Sequence, residues 1–471
     1  MSSEAQQFLA TFVTETYYYW ASVFMLIIHV GFLAYEGGAA RTKNVLATMT
    51  KSLLTLSVVG LSFFFFGWWV YAGFSLWPRF GLGSLLGPWT TELPANLGTL
   101  DGERLLDFVQ TTYPWSQAVG PNVSDHITGV FLFAFTLFAM TTASIMSGAV
   151  IERIRLGAYL ILASILGGFC WVVAASWGWN TWGWLNTLGY HDFGCSAVIH
   201  GVSGFFALGV LLNLGPRIGR YDEQGKPRTI PPHNLPLTMV GLMIIFVGFY
   251  AFLAACVMFA PGATTETTIY GSPITLASIG VNTTLALCAG LIGTYIGSKG
   301  NPFFTISGGL AGIVSVGAGL DLYAPPLVIL IAFIGAMTMP WVAMCIEKIG
   351  IDDAVGAFAV HGYCGLFGAM AVGVMATGYP VQDYPATNFG AQLLGAFLCT
   401  VVLGLIPGFG VSWVLKKLNL LRVPREEEIE GLDLGDFGIR GYPEYSLVPY
   451  EAETDSSQVS LNSVDRRSQE K

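Results

Sequence analysis

An all-α polytopic membrane protein is the fold class this sequence predicts, and three observations predict it. Hydrophobic residues supply 53% of the 471-residue chain and charged residues only 11%, against about 25% charged in ordinary soluble domains. The apolar residues gather into eleven runs long enough to cross a bilayer, which takes about 20 residues of helix. The basic residues concentrate in alternate connecting segments, as expected of a chain threaded back and forth with its positive loops on the cytoplasmic side. A soluble domain is not compatible with these figures, and no basic patch marks a nucleic-acid binder. The net charge of -9 comes partly from the acidic stretch "REEEIEGLDLGD".

Taken in order, the runs are 16–39, 53–77, 126–149, 156–176, 193–214, 236–259, 274–298, 303–320, 325–346, 355–376 and 389–415. The first basic residue is Arg41, so no basic segment precedes the first run. A cleaved signal peptide would need one, and the run is read as a membrane helix. With the N-terminus outside, the cytoplasmic segments hold Arg41, Lys43 and Lys51, then Arg153 and Arg155, then Arg217, Arg220, Lys226 and Arg228. Lys299, Lys348 and every basic residue from Lys416 onward follow on the same side, leaving only Arg79 and Arg104 outside. A missed or invented helix would scramble that alternation. The fifty-eight glycines suit helices packed closely through small side chains.

Two domains are expected: an eleven-helix membrane domain over 1–417 and a cytoplasmic tail over 418–471, disordered toward its serine-rich end. The long second loop, 78–125, carries the sequon Asn122-Val-Ser, a glycosylation candidate. A second match, Asn282-Thr-Thr, falls within a predicted span and is read as structural. All seven cysteines lie in apolar runs, so neither a disulfide framework nor a CxxC metal site is indicated.

Two stretches interrupt the apolar pattern in the same way: "DFGCSAVIHGVSGFF" from residue 192 and "DAVGAFAVHGYCGLFG" from residue 353. Each places an Asp (Asp192, Asp353) eight residues before a His-Gly pair (His200, His361). The histidines fall on the fifth and tenth runs, which cross the bilayer in opposite directions. The chain is therefore read as two inverted five-helix repeats, about 16–214 and 236–376, plus a C-terminal helix. The aspartates suit helix N-caps, one at each membrane face. Eight residues of helix carry each imidazole about 12 Å inward, against a half-thickness of about 15 Å. The histidines are expected to meet near the centre.

A lone histidine on an apolar helix is more often packing than function. Two related by a repeat favour function, since ionisable residues within spans tend to line paths or relays. No third ligand at suitable spacing supports a metal. Neutral imidazole offers one donor and one acceptor and passes protons. A hydrophobic lumen bars ions, whose ideal transfer cost is of order 20 kcal/mol. A small cation that can shed a proton escapes that barrier; for ammonium at neutral pH the loss costs about 3 kcal/mol, from roughly two pKa units at 1.36 kcal/mol each.

The chain resembles the ammonium transporter (Amt/Mep) branch of the Amt/Mep/Rh superfamily, as a divergent member, over about residues 16–443. The matching stretches, in order, are "EGGAARTKNVL" (36–46), "GAVIERIR" (148–155), "DFGCSAVIHG" (192–201), "DDAVGAFAVHG" (352–362) and "RVPREEEIEGLDLGDFGIRGY" (422–442). The resemblance implies a plasma-membrane homotrimer with one pore per protomer and no cofactor. It assigns the twin pore histidines to His200 and His361, a stacked phenylalanine gate to Phe138 and Phe252, and cation recruitment to Trp179 and Cys256. Aromatic faces attract cations by about 0.5–2 kcal/mol. Without the resemblance these aromatics read as membrane packing. The tail resembles a regulatory segment that packs under a neighbouring protomer, where a cytoplasmic regulator could act. Physically it needs partners such as the basic inner loops.

Several positions depart from the family pattern. The small residues after Asp192 are "GCS"; Cys256 replaces a serine and is a poorer acceptor; Leu253 replaces an asparagine. Gly356 stands where a third acid is expected, and Gly435 where a phosphorylatable residue is common, with Ser468 a weak substitute. Two competing readings follow: an ammonium sensor that scarcely conducts, and a passive ammonia or carbon dioxide channel of Rh type. An enzyme is not indicated, since no nucleophile, base and oxyanion set is visible.

Overall fold

The computed structural model describes residues 2–75, 126–180, 183–257, 274–381 and 385–443. Asn122, Arg79, Arg104 and Ser468 lie outside the described residues. Among the described residues, eleven helices are long and apolar enough to span a membrane. They are α1 (Ser3–Ala39), α2 (Thr42–Tyr71), α3 (Gly129–Ala149), α4 (Leu156–Gly178), α5 (Ser196–Leu214) and α6 (Leu235–Ala255). The set continues with α7 (Leu276–Gly297), α8 (Pro302–Gly319), α9 (Pro325–Lys348), α10 (Phe358–Met375) and α11 (Phe389–Lys417). Two short helices, α12 (Arg425–Glu430) and α13 (Leu432–Phe437), follow in the tail.

Two boundaries differ from expectation. The first helix begins at Ser3, not near residue 16, because "SEAQQFLATFVTE" is polar yet helix-forming and Ser2 caps it, its Oγ accepting from the Ala5 amide at 3.3 Å. Lys51 is not a loop residue. It lies within α2, buried, with its ammonium donating to the Ser147 carbonyl at 2.7 Å and 3.8 Å from the Glu36 carboxylate.

Five spans contain a wider π-type turn: Phe63–Gly67, Leu166–Cys170, Ser196–Gly201, Phe358–Tyr363 and Leu398–Leu405. Such turns are uncommon and gather at functional sites. Two of the five hold His200 and His361. The glycines beside them explain how α5 and α10 come so close. A Cβ on Gly204 would strike the Gly362 backbone, and one on Gly365 would strike the Ser196 carbonyl. The helices cross there, backbone against backbone.

Residues 421–437, after α11, do not hang free. They run along the face where α1, α3 and α9 end, here termed the tail face. Val423 donates to the Arg153 carbonyl at 3.1 Å, and Arg155 to the Leu421 carbonyl at 3.1 Å. Glu428 accepts from the Ile218 amide at 2.7 Å and pairs with Arg422 at 2.7 Å. Asp433 reaches the start of α2, accepting from the Ala47 amide at 2.9 Å and the Leu46 amide at 3.2 Å. The regular α-helical part of α2 begins at Val45, after a 3-10 turn over Thr42–Asn44; its first-turn amides lack partners within their own helix, so the tail supplies what α2 cannot. The basic loops expected as partners for the acidic tail are those of the same protomer.

Beneath this layer, Asp352 is gripped by Arg217 at 2.8 Å and Arg220 at 3.2 Å, while Glu152 takes Arg41 at 2.7 Å. Burial would raise the Asp352 carboxyl, but Arg153 and Arg217 outweigh it and hold the group well below the usual carboxylate range.

Candidate functional site

α5 and α10 enter the molecule from opposite faces, each started by its aspartate. Asp192 accepts from the amides of Ser196, Ala197 and Val198 at 2.7–2.8 Å. Asp353 accepts from Gly356, Ala357 and Phe358 at 3.1, 3.0 and 2.7 Å. The caps therefore reach three to six residues forward rather than occupying the N-cap position. That reach is permitted by left-handed backbone in between, at Cys195 (φ 68°) and Gly356 (φ 77°). A third acid at 356 would have to adopt that conformation, which glycine adopts at no steric cost. Burial raises both carboxyls against these hydrogen bonds, Asp353 to about 6.

The histidines meet. His200 Nδ1 lies 3.0 Å from His361 Nδ1, with ring centroids 5.1 Å apart and planes 20° off parallel, both rings buried. A bond between two Nδ1 atoms needs one hydrogen and one lone pair. The two neutral rings therefore hold opposite tautomers, and a proton relayed through the pair, in at one Nε2 and out at the other, exchanges them.

Above the pair runs a column of aromatic rings. His200 lies 6.0 Å from Phe252, Phe252 is 4.8 Å from Phe138, and Phe138 is 5.3 Å from Trp179. The phenylalanines meet edge to face at 75°, not stacked as expected. The ring stacked on Phe252 is instead Phe249, at 5.1 Å and 28°, and Phe249 also stacks on His200 at 5.8 Å. Edge-to-face contact is a favoured arrangement of two ring quadrupoles. The Trp179 indole N–H donates to the Asp192 carbonyl at 2.6 Å, tying the top of the column to the α5 cap.

Five of the expected residues thus form one line: Trp179, Phe138, Phe252, His200 and His361. Cys256 stands one turn beyond Phe252, donating to its carbonyl at 3.3 Å, with its sulfur 3.9 Å from that of Cys195. Sequence reasoning missed three polar groups in spans. Glu36 and Lys51 form a buried pair in α1 and α2, and His29 of α1 lies 3.3 Å from Ser144 Oγ. Charges inside apolar runs were the available signal. Glu36 sits in a quoted motif and Lys51 beside a loop, which disguised both. Metal-type clusters of three or more His, Cys, Asp or Glu are absent among the described residues.

Comparison with known proteins gives a consistent picture. A family model described as the Ammonium Transporter Family matches residues 16–442. Ammonium transporter Amt2 of Methanocaldococcus jannaschii is 30% identical over 436 residues, covering 90% of each chain. Ammonium transporter Amt2 of Archaeoglobus fulgidus is 29% identical over 447 residues, covering 89% of this chain and 86% of that one. Among solved structures, a sensor Amt protein superposes with a TM-score of 0.73 at 22% identity, over 91% of this chain and 99% of that one. Candida albicans Mep2 superposes with a TM-score of 0.71 at 21% identity, over 94% and 93%. At those identities the structures speak for the fold.

Proposed function

The chain belongs to the ammonium transporter family, and on that premise we propose that it recruits ammonium, deprotonates it, and conducts ammonia and the proton through the column and the histidine pair. The observation that carries the reading is the 3.0 Å contact between His200 Nδ1 and His361 Nδ1 at the foot of a continuous aromatic line.

Recruitment rests on Trp179, whose ring face attracts a cation, with Cys256 a weak acceptor nearby in sequence to the gate residue Phe252. Beyond them the column offers rings and little else, so an intact cation faces a desolvation cost of order 20 kcal/mol. Shedding a proton costs about 3 kcal/mol. Ammonia then crosses as a neutral molecule. The proton follows along the imidazoles: one arrives on an outer nitrogen, the shared hydrogen shifts between the Nδ1 atoms, and one departs from the far ring. Asp192 and Asp353 hold the π-turns that aim both rings.

In this reading the two halves are inverted repeats, the N-terminus is outside, and the tail face is cytoplasmic. The chain works in the plasma membrane as a homotrimer, the tail open to a cytoplasmic regulator. The test compares ammonium with potassium, a cation of similar charge that has no proton to lose, on purified protein in liposomes. Current with ammonium and none with potassium is expected. Ammonium binding without current would replace transport by sensing. Internal alkalinisation without current would indicate a passive ammonia channel.

A further inference from the structure

Between the histidine pair and the tail face lies a cavity of about 20 Å³, lined among others by Tyr35, Glu36, Ser307, Val355, Ala357 and His361. One water needs about 10–15 Å³ of such space and two or more polar partners. The partners are there. Glu36 Oε1 is buried with no hydrogen-bond partner among the described residues. The Tyr35 hydroxyl lies 3.5 Å from Ser307 Oγ and 3.4 Å from the Val355 carbonyl. His361 commits its Nδ1 to His200, which leaves Nε2 uncommitted to that pair.

The other Glu36 oxygen is fully engaged. Oε2 accepts from Ser147 Oγ at 2.6 Å and Ser52 Oγ at 3.1 Å, with the Lys51 ammonium at 3.8 Å. One oxygen is therefore clamped and charge-compensated while the second has no partner, on a residue that lines the cavity His361 also lines. An ionisable residue this fully buried is costly, and one with an unpaired oxygen costs more. Packing alone does not account for keeping it. No residue assigned to recruitment, the aromatic gate or the histidine pair performs this part.

We propose that Glu36 is the proton acceptor beyond the histidine pair, reached through one water in this cavity. The inference rests on the reading that a proton passes through His200 and His361. The water takes the proton leaving protonated His361 and gives one of its own to Glu36 Oε1. His361 returns to neutral imidazole, the carboxylate becomes a carboxylic acid, and no other bond changes. Lys51, Ser52 and Ser147 position the carboxylate by holding its other oxygen.

The test is ammonium-evoked current in liposomes from the wild type, Glu36→Gln and Glu36→Asp, with ammonium binding and thermal melting measured beside it. Glu36→Gln keeps the shape and the hydroxyl partners but cannot take the proton. Its current is expected to fall about a hundredfold, the low end of what a positioned proton carrier contributes, with binding unchanged. Glu36→Asp restores a large part, which a merely structural role would not give. Ala357→Val, which fills the cavity and leaves Glu36 in place, should reproduce the loss and decides the matter if Glu36→Gln does not fold. Wild-type current from folded Glu36→Gln, or from Ala357→Val, would overturn the assignment while leaving histidine-mediated transport standing. Absence of current from the wild type would overturn both.

Discussion

On the proposed reading, Cys256 is the recruitment residue whose side-chain chemistry bears most directly on how tightly a cation is held. Its thiol is a weak acceptor, already turned toward the Phe252 carbonyl at 3.3 Å and 3.9 Å from Cys195. A serine hydroxyl there accepts more strongly, and one added hydrogen bond is worth about 1 kcal/mol. Cys256→Ser should therefore lower the ammonium concentration for half-maximal current by about fivefold. Titrating the current of both proteins checks it, and an unchanged midpoint removes Cys256 from the recruitment site. The histidines were legible at this scale because imidazole stands out in an apolar run. The edge-to-face setting of Phe138 on Phe252 was not, since ring orientation follows from side-chain torsions that spacing does not encode.

At the scale of the element, the site depends on how α5 and α10 begin. Each π-turn is held by a carboxylate that accepts three amides, and each start bends through a left-handed residue. The Asp-to-His spacing made the caps readable, but not the left-handed Cys195 and Gly356 that lengthen their reach. The caps also carry a pH signature. Asp353 is raised to about 6 by burial, above its ordinary value of 3.8. Between those values the folded state binds the proton more readily than the unfolded one, so this group's contribution to stability declines as pH rises through that window. Two units correspond to about 3 kcal/mol. Asp352 has the opposite sign: its depressed carboxyl contributes stability present above pH 3.8 and lost as pH falls toward its folded value. Melting curves of Asp353→Asn in detergent should show a shallower decline between pH 4 and 6, with Asp192 still contributing, and keep the acid loss below it. A decline unchanged in the variant would show that Asp353 is not its source.

For the whole molecule, residues 421–437 of the tail are a fixed part of the fold rather than an appendage. Asp433 supplies acceptors to the Leu46 and Ala47 amides near the start of α2, and Lys43 donates to the Glu428 and Ile429 carbonyls at 2.7 and 2.6 Å. Asp433→Ala should free residues 432–437, at a cost of about 0.5–2 kcal/mol for a lost cap. Faster hydrogen exchange there and over residues 44–47 would report it, and unchanged exchange would show the tail held by other contacts. The eleven spans were all legible in the sequence, because length and hydropathy are local properties. The start of α1 at Ser3 was not, since a polar helical extension lacks an apolar run. The ordering of residues 421–437 was not either. Their partners in the 41–47, 153–155 and 217–218 segments are hundreds of residues away in sequence.

The histidine pair is the centre of this account, and its most direct test is ammonium-evoked current from liposomes carrying wild-type protein or His200→Ala/His361→Ala. The account predicts a saturable current in the wild type that is lost in a folded double variant still able to bind ammonium. An equal current in that variant would contradict a proton route through His200 and His361.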